Sequence, residues 1–484
     1  MSFFSTNFVL FFGLFWLVSI FLKRYTLPFK VWFLAGSGYF FYTLNSRFLL
    51  VFGLAILANY GILLLIKFLK KESLKVRPVA VFFSKFSLFL GIILNLGLLV
   101  YFKYTNFFLD SILEYSQKNN FSWNVLSLTI LAPAGLSFLT FRAIGNLVDF
   151  YKKPFKLSIL DFSVFYLFFP HLVAGPIAKS KSFYEDVNTK EYSYNPTEVG
   201  ILIFSGLFKK LVISSYLYSF YLAPIGNPQL FSAQDLAVAI LVYSCYIYAD
   251  FSGYSDLAIA FSKLLGINTP ANFNQPYKSK TVTEFWGRWH ISLSSFFREY
   301  VYFPLGGDGR GAKYFKTLVK CRNLILVMLL SGFWHGAGLN FLIWGGAFGV
   351  LMSVEAIFKK VFGKMEAGKF VKPLINFLGV VYTFTAVSLL WAVFVIKDTL
   401  KIETYFRGLF SSQVKENRLL DWRLFVVLGI ILLGNLISKK YLDAAAKFLQ
   451  KQHFILKLFL CIVLSYLVIR LSPELIPPFV YAQF

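Results

Sequence analysis

Apolar runs long enough to enter a bilayer recur along the whole of this 484-residue chain. They cover residues 8–21, 31–44, 48–66, 79–102, 126–139, 201–222, 237–248, 324–352, 374–396, 425–437 and 454–471. A hydrocarbon core takes roughly 20 apolar residues per helical crossing, and backbone groups in lipid must be satisfied internally. Some runs are short or broken. The chain is therefore expected to be an all-α polytopic membrane protein with about ten or eleven transmembrane helices plus re-entrant and interfacial helices. Composition agrees: 57% of residues are hydrophobic and 15% charged, against about a quarter charged in a soluble domain. The first run has no basic residue before it and no small-residue cleavage site after it. It reads as a retained helix, not a signal peptide.

A net charge of +25 invites a nucleic-acid reading, but the distribution argues for topology instead. Lys23, Arg24 and Lys30 follow the first run, and Lys67, Lys70, Lys71, Lys75 and Arg77 follow the third. Lys152, Lys153 and Lys156 follow the fifth; later clusters are Lys359, Lys360, Lys364, Lys369 and Lys372, then Lys439, Lys440, Lys447 and Lys451. Basic loops stay cytoplasmic. Their alternation puts both termini outside and leaves no role for nucleic acid. Cys245, Cys321 and Cys461 have neither C-x-x-C spacing nor a His at ligand spacing, so no disulfide framework or metal site is expected.

The chain reads as a single membrane domain with three stretches. Residues 1–105 are regular, short-looped transmembrane scaffold, and 110–124 form a polar stretch that suits an interfacial amphipathic helix on the outer face. Between 130 and 350 the apolar segments are broken by Gly, Pro, His, Asp and Trp. Broken backbone at membrane depth needs protein or a water-filled cavity around it, so the cavity is expected here. Residues 370–484 return to plain transmembrane helices, with a mixed-charge loop at 397–423.

Five segments of that middle stretch are candidates to carry chemistry. His335 lies in LLSGFWHGAG within a long apolar run. On a helix its face carries Ser331, Gly332, Gly338 and Leu339, and such small residues suggest a hollow for substrate. An ionisable side chain at this depth is a functional candidate, and low-dielectric surroundings favour the uncharged ring that a general base needs; a packing His bonded to a neighbouring helix is the other reading. In TEFWGRWH, Glu284 and Arg288 have i,i+4 ion-pair spacing, while Trp286, His290, Ser294 and Phe297 share another face. His290 either orients a substrate or faces headgroups. YIYADFSGYSD places Asp250 and Asp256 near membrane depth, as ties between helices or as paired carboxylates. FFPHLVAGPI, with Pro170 and Pro176, cannot be one smooth helix, and its His171 either faces the cavity or simply sits at the kink. The loop 306–313 offers glycine amides with Arg310 and Lys313, either a phosphate cradle or a flexible turn.

Four blocks, FFPHLVAGPI, YADFSGYSDLAIAFSKLLG, NFNQPYKSKTVTEFWGRWHISLSSFFREYVYFPLGG and LLSGFWHGAGLNFLIWGG, occur in the order that resembles the membrane-bound O-acyltransferase (MBOAT) family. The likeness is to its bacterial branch of alginate and peptidoglycan O-acetyltransferases. The resemblance implies an MBOAT-type fold and a catalytic core over 130–350. It implies His335 as the essential catalytic residue and His290 as the second polar one, with Trp286, Arg288, Trp334, Asp250 and Ser331 as candidate substrate contacts. Gly287 stands where the family usually has Arg, Phe297 where it often has Trp, and Glu299 where it often has Asp. The donor implied is a cytoplasmic acyl thioester such as acetyl-CoA, with no bound cofactor. The acceptor implied is a cell-envelope polysaccharide, reached through an extracytoplasmic Ser-dependent partner, since the chain has no G-x-S-x-G. A transporter or flippase with a proton-relay His is the competing reading; it predicts inverted repeats with paired broken helices, and none is evident.

Overall fold

The computed structural model describes residues 3–72, 77–119, 130–173, 175–191, 194–311, 314–363, 368, 370–411, 417–419, 421–437, 439–474 and 476–480. The described residues form helices and no strands. Among them, eight helices are long and apolar enough to cross a membrane, or nine if the bent pair in 422–451 counts as one span. This is a multi-pass membrane protein. Its outward side chains fit lipid: on the helix Phe454–Leu471, Phe459, Ile462 and Ile469 are 60–73% exposed.

Several boundaries differ from the sequence expectation. The runs 31–44 and 48–66 belong to one continuous helical stretch, Thr26–Lys71, with a single 3-10 turn at Ser46–Phe48. The run 324–352 is two helices, Lys316–His335 and Leu339–Phe362. Of the run 126–139, residues 126–129 lie outside the described residues, and in the rest Pro133 and Gly135 delay helix until Leu136. Gly135 has φ +81°, and a Cβ there would stand 2.6 Å from the Leu172 carbonyl oxygen. The polar stretch after 105 is no separate interfacial helix. No breaker precedes it, so Thr105–Lys118 continues the helix Arg77–Leu99 through one π-helical turn; 120–124 lie outside the described residues.

The chain divides into two compact units. The first comprises 1–194 and 261–270. Its helices pack through phenylalanines, with Phe8, Phe12, Phe15 and Phe40 around Phe169. Polar contacts also tie its helices: Asn59 and Asn95 exchange side-chain hydrogen bonds of 2.7 and 3.2 Å, and Lys30 meets Asp161 at 2.6 Å. As expected, the proline segment is not one helix. Ile159–Leu167 stops before Pro170, and the Arg142 guanidinium donates to the carbonyls of Phe165, Tyr166 and Phe168 at this helix end.

The second unit comprises 195–260 and 271–484. The helical stretch Pro196–Gly226 passes the helix Ala233–Leu264 closely, since a Cβ on Gly206 would lie 2.8 Å from the Gly253 carbonyl oxygen. Ser205 and Lys209 donate to Asp256 across this crossing at 2.8 and 2.7 Å. Beyond it lie the hairpin Lys316–His335/Leu339–Phe362 and the helix Val371–Val395. Their core is aromatic: Trp344 stacks on Trp391 at 5.9 Å and Phe285 on Trp289 at 5.5 Å.

Candidate functional site

The hairpin is built on glycine. A Cβ on Gly332 would stand 2.1 Å from the Phe341 carbonyl oxygen, and one on Gly345 2.2 Å from that of Met328. The two backbones therefore touch, and Gly332 leaves no hollow beside His335, contrary to the sequence expectation for that glycine. Small residues here admit the partner helix. His335 is the last residue of its helix. Its ring meets Trp344 edge-on at 5.1 Å and Phe394 at 5.3 Å, beside Trp334 at 4.9 Å, and it is 4% exposed. Asn340 donates to the Val393 and Phe394 carbonyls at 3.4 and 3.0 Å, tying the hairpin tip to the end of Val371–Val395. At 1.5 Å per residue, His335 lies about 20 Å beyond Arg322, within a hydrocarbon thickness of about 30 Å.

A cavity of about 1000 Å³ opens along a different stripe of the same helix. Lys320, Leu324, Val327, Met328 and Ser331 line it at helical spacing. Ser331, its innermost residue on this helix, is one turn before His335. His335 itself is not on the lining; Trp286 is, and its ring lies 5.6 Å from Trp344. Lys280, Arg298 and Lys359 also line the cavity, and among the described residues none of the three forms an ion pair. Lys320 is paired with Asp308 at 2.8 Å, which holds that carboxyl below its usual range, and Tyr302 donates to the same oxygen at 2.9 Å.

The segment 280–302 supplies the facing wall. Thr281 caps the short helix Val282–Trp286. The Glu355 carboxylate receives the Val282 amide at 2.6 Å, the Thr283 amide at 3.0 Å and the Thr283 hydroxyl at 2.7 Å. Glu284 and Arg288 pair at 2.8 Å, as their spacing suggests, although the helix has already ended, and Arg288 also donates to the Asn274 carbonyl at 3.2 Å. The chain then turns at His290, whose φ of 43° is left-handed. Asn272 causes the turn: its carbonyl accepts from the Ile291 amide at 2.9 Å, and its side-chain oxygen accepts from the Ser292 hydroxyl at 2.6 Å. A helix cannot run through that clasp. The expected common face is therefore split: Trp286, Ser294 and Phe297 line the cavity, while His290 does not. His290 is fully buried, edge-on to Phe251 at 4.7 Å and 6.4 Å from Trp334. Burial pushes its imidazole down to about 3, so the ring is neutral at physiological pH.

Of the sequence candidates, Trp286 and Ser331 line the cavity, while His335, His290 and Trp334 cluster behind its inner wall. Arg288 is committed to Glu284 and Asn274. Asp250 is fully buried against Lys210 and Ser214. His171 lies in the first unit, with its Nε2 3.0 Å from the Ser262 hydroxyl. In the glycine loop, Gly306, Gly307, Gly309 and Gly311 have positive φ, and Asn323 donates to the Leu305 and Gly307 carbonyls at 3.1 and 2.9 Å. Arg310 is exposed and off the cavity lining, and Lys313 lies outside the described residues. Asn272, Glu355 and the lining cations were not singled out by sequence reasoning. A lone acid closing an apolar run, as at Glu355, was the available signal.

The profile of the MBOAT, membrane-bound O-acyltransferase, family matches residues 79–395. A peptidoglycan O-acetyltransferase of Helicobacter pylori is 35% identical over 399 residues, 76% of this chain and 71% of that protein. A probable alginate O-acetylase of Pseudomonas aeruginosa is 38% identical over 313 residues, 63% of this chain and 57% of its own length. A teichoic acid D-alanyltransferase of Bacillus subtilis is 30% identical over 244 residues, 48% of this chain and 60% of that protein. The match thus spans little more than half the length of the alginate relative. With its helical spans and this matched core, the chain belongs to the membrane-bound O-acyltransferase family.

Proposed function

We propose that this membrane O-acyltransferase moves an acetyl group from a cytoplasmic thioester, such as acetyl-CoA, towards hydroxyls of a cell-envelope or extracellular polysaccharide. The observation that carries the donor side is the cavity. It has a cationic rim at Lys280, Arg298 and Lys359 and follows one helix stripe to Ser331, a turn from His335. From Lys320 to His335 is about 22 Å of helix rise, a path for a long thioester arm whose phosphates stay at the rim. Lys359 and Lys360 belong to a basic cluster of the kind retained in the cytoplasm. In this reading the rim faces the cytoplasm from a bacterial inner membrane, with the N-terminus outside. Relatives named for peptidoglycan and alginate acetylation support a polysaccharide acceptor.

In this reading His335 is the general base. Its neutral ring takes the proton as the acceptor oxygen attacks the thioester carbonyl carbon. The tetrahedral intermediate collapses with cleavage of the C–S bond, and the imidazolium returns the proton to the leaving thiolate, giving ester and free thiol. Trp286 and Ser331 shape the approach, and because Trp286 and Trp344 stand between cavity and imidazole, substrate entry displaces an indole. His290, behind Trp334, is a positioning residue. An extracytoplasmic Ser-dependent partner would then carry the acetyl group to the polymer. The test uses membrane vesicles with the cytoplasmic face outward. Added acetyl-CoA should release thiol, and Lys280→Glu, Arg298→Glu and Lys359→Glu together should raise its KM by about a hundredfold, ~2.7 kcal/mol. No thiol release beyond vesicles lacking the protein would end the proposal.

A further inference from the structure

Asp250 and Lys210 form an ion pair that the acyl-transfer chemistry leaves unused. Their side chains are 0% and 1% exposed, and both sit on membrane-spanning helices. A buried pair persists only when further hydrogen bonds complete its shell. Ser214 supplies one, at 3.3 Å from Asp250. Two more come from the backbone of the C-terminal segment. The Val480 amide donates to Asp250 Oδ2 at 2.9 Å, and Lys210 Nζ donates to the Pro477 carbonyl at 2.9 Å. The pair thus grips the main chain on both sides of Pro478 and Phe479.

Phe479 is held where it meets the site. It is 8% exposed, stacks on Tyr254 at 4.5 Å and meets Phe251 at 6.1 Å. Phe251 follows Asp250 in the chain, and its ring is the one set edge-on against His290 at 4.7 Å. His290 needs such bracing. A left-handed φ at a non-glycine residue is strained and persists only where its surroundings over-determine it. Asn272 fixes the backbone just after it, while Phe251 and Trp334 face the ring.

We propose that residues 476–480 form a wedge that positions His290: the Lys210–Asp250 pair clasps the backbone around Phe479, and Phe479 braces Phe251 against the imidazole. Its importance for turnover rests on the reading of His290 as part of the acyl-transfer site. Phe479→Ala in the full chain removes the brace and leaves the clasp intact. The chain has four histidines, so NMR of 13C-histidine-labelled protein resolves their rings individually. The His290 resonance should move in Phe479→Ala, while that of His171, packed on Phe168 in the first unit, stays. Turnover should fall about tenfold with the donor KM within twofold, a smaller loss than the ~10²-fold of a 1 Å misplacement. Phe479→Leu should restore most of both signals. An unmoved His290 resonance overturns the wedge. So does a loss of turnover that tracks thermal stability and is not recovered by Phe479→Leu, which would mark Phe479 as ordinary packing. If the unaltered protein consumes no thioester, the acyl-transfer reading fails separately, and the resonance still decides the wedge.

Discussion

Two adjacent glycines of the helix Leu339–Phe362 face different surroundings, and replacing each by alanine separates packing from propensity. A Cβ on Gly345 would stand 2.2 Å from the Met328 carbonyl oxygen and 3.3 Å from Gly332 Cα; one on Gly346 would meet only Leu329 Cδ2, at 3.4 Å. Both changes gain about 0.8–1 kcal/mol of helix propensity. Gly346→Ala should therefore be neutral or up to ~1 kcal/mol more stable. Gly345→Ala must push two backbones apart by about 1 Å, and overpacking of that kind costs about 1–3 kcal/mol, leaving a net loss of up to ~2 kcal/mol. The effect on chemistry should be larger. Trp344, the neighbour of Gly345, faces the His335 ring at 5.1 Å, and a 1 Å displacement of reacting groups costs on the order of 10²-fold. Thiol release and thermal unfolding of the two purified variants are the assays. Indistinguishable turnover in Gly345→Ala and Gly346→Ala would refute the argument that hairpin contact sets the position of His335.

The clamp on the cavity wall and the buried His290 give further tests. Glu355→Ala removes three hydrogen bonds to the segment carrying Trp286; at about 1 kcal/mol each for a partly exposed group, turnover should drop roughly tenfold or more, with Glu355→Gln intermediate, and wild-type turnover in Glu355→Ala would remove the clamp from the account. His290, with its folded value pushed to about 3 against about 6.5 unfolded, binds its proton more readily in the unfolded chain. Its burial thus leaves stability intact above pH 6.5 and erodes it as pH falls from there towards 3. His290→Asn, which tolerates the left-handed backbone, should show a flatter fall in melting temperature between pH 6.5 and 4; an identical slope would contradict that burial.

How legible the site was depended on what each residue answers to. The blocks around His335 and Trp286 were readable because Trp, His and Arg interrupt apolar helix at a high solvation cost. The cavity stripe was not, because Leu324, Val327 and Met328 read the same whether they face lipid or a substrate path. Gly332 and Gly338 suggested space at helical spacing, yet glycine records a close approach equally well, and Phe341 fills what Gly332 leaves. The turn at His290 was hidden because its cause, Asn272, is eighteen residues away, while Glu284 and Arg288 keep a helical spacing through the break. The run 324–352 looked continuous because Gly336, Ala337 and Gly338 are apolar in any hydropathy average, although they form the hairpin's turn.

The central claim is that one buried imidazole performs the acyl transfer. Its most direct test is the O-acetyl content of the envelope polysaccharide in cells whose only copy carries His335→Ala, with membrane levels of the protein measured alongside. The account predicts acetylation at background with unchanged insertion. Normal acetylation from that variant would contradict it.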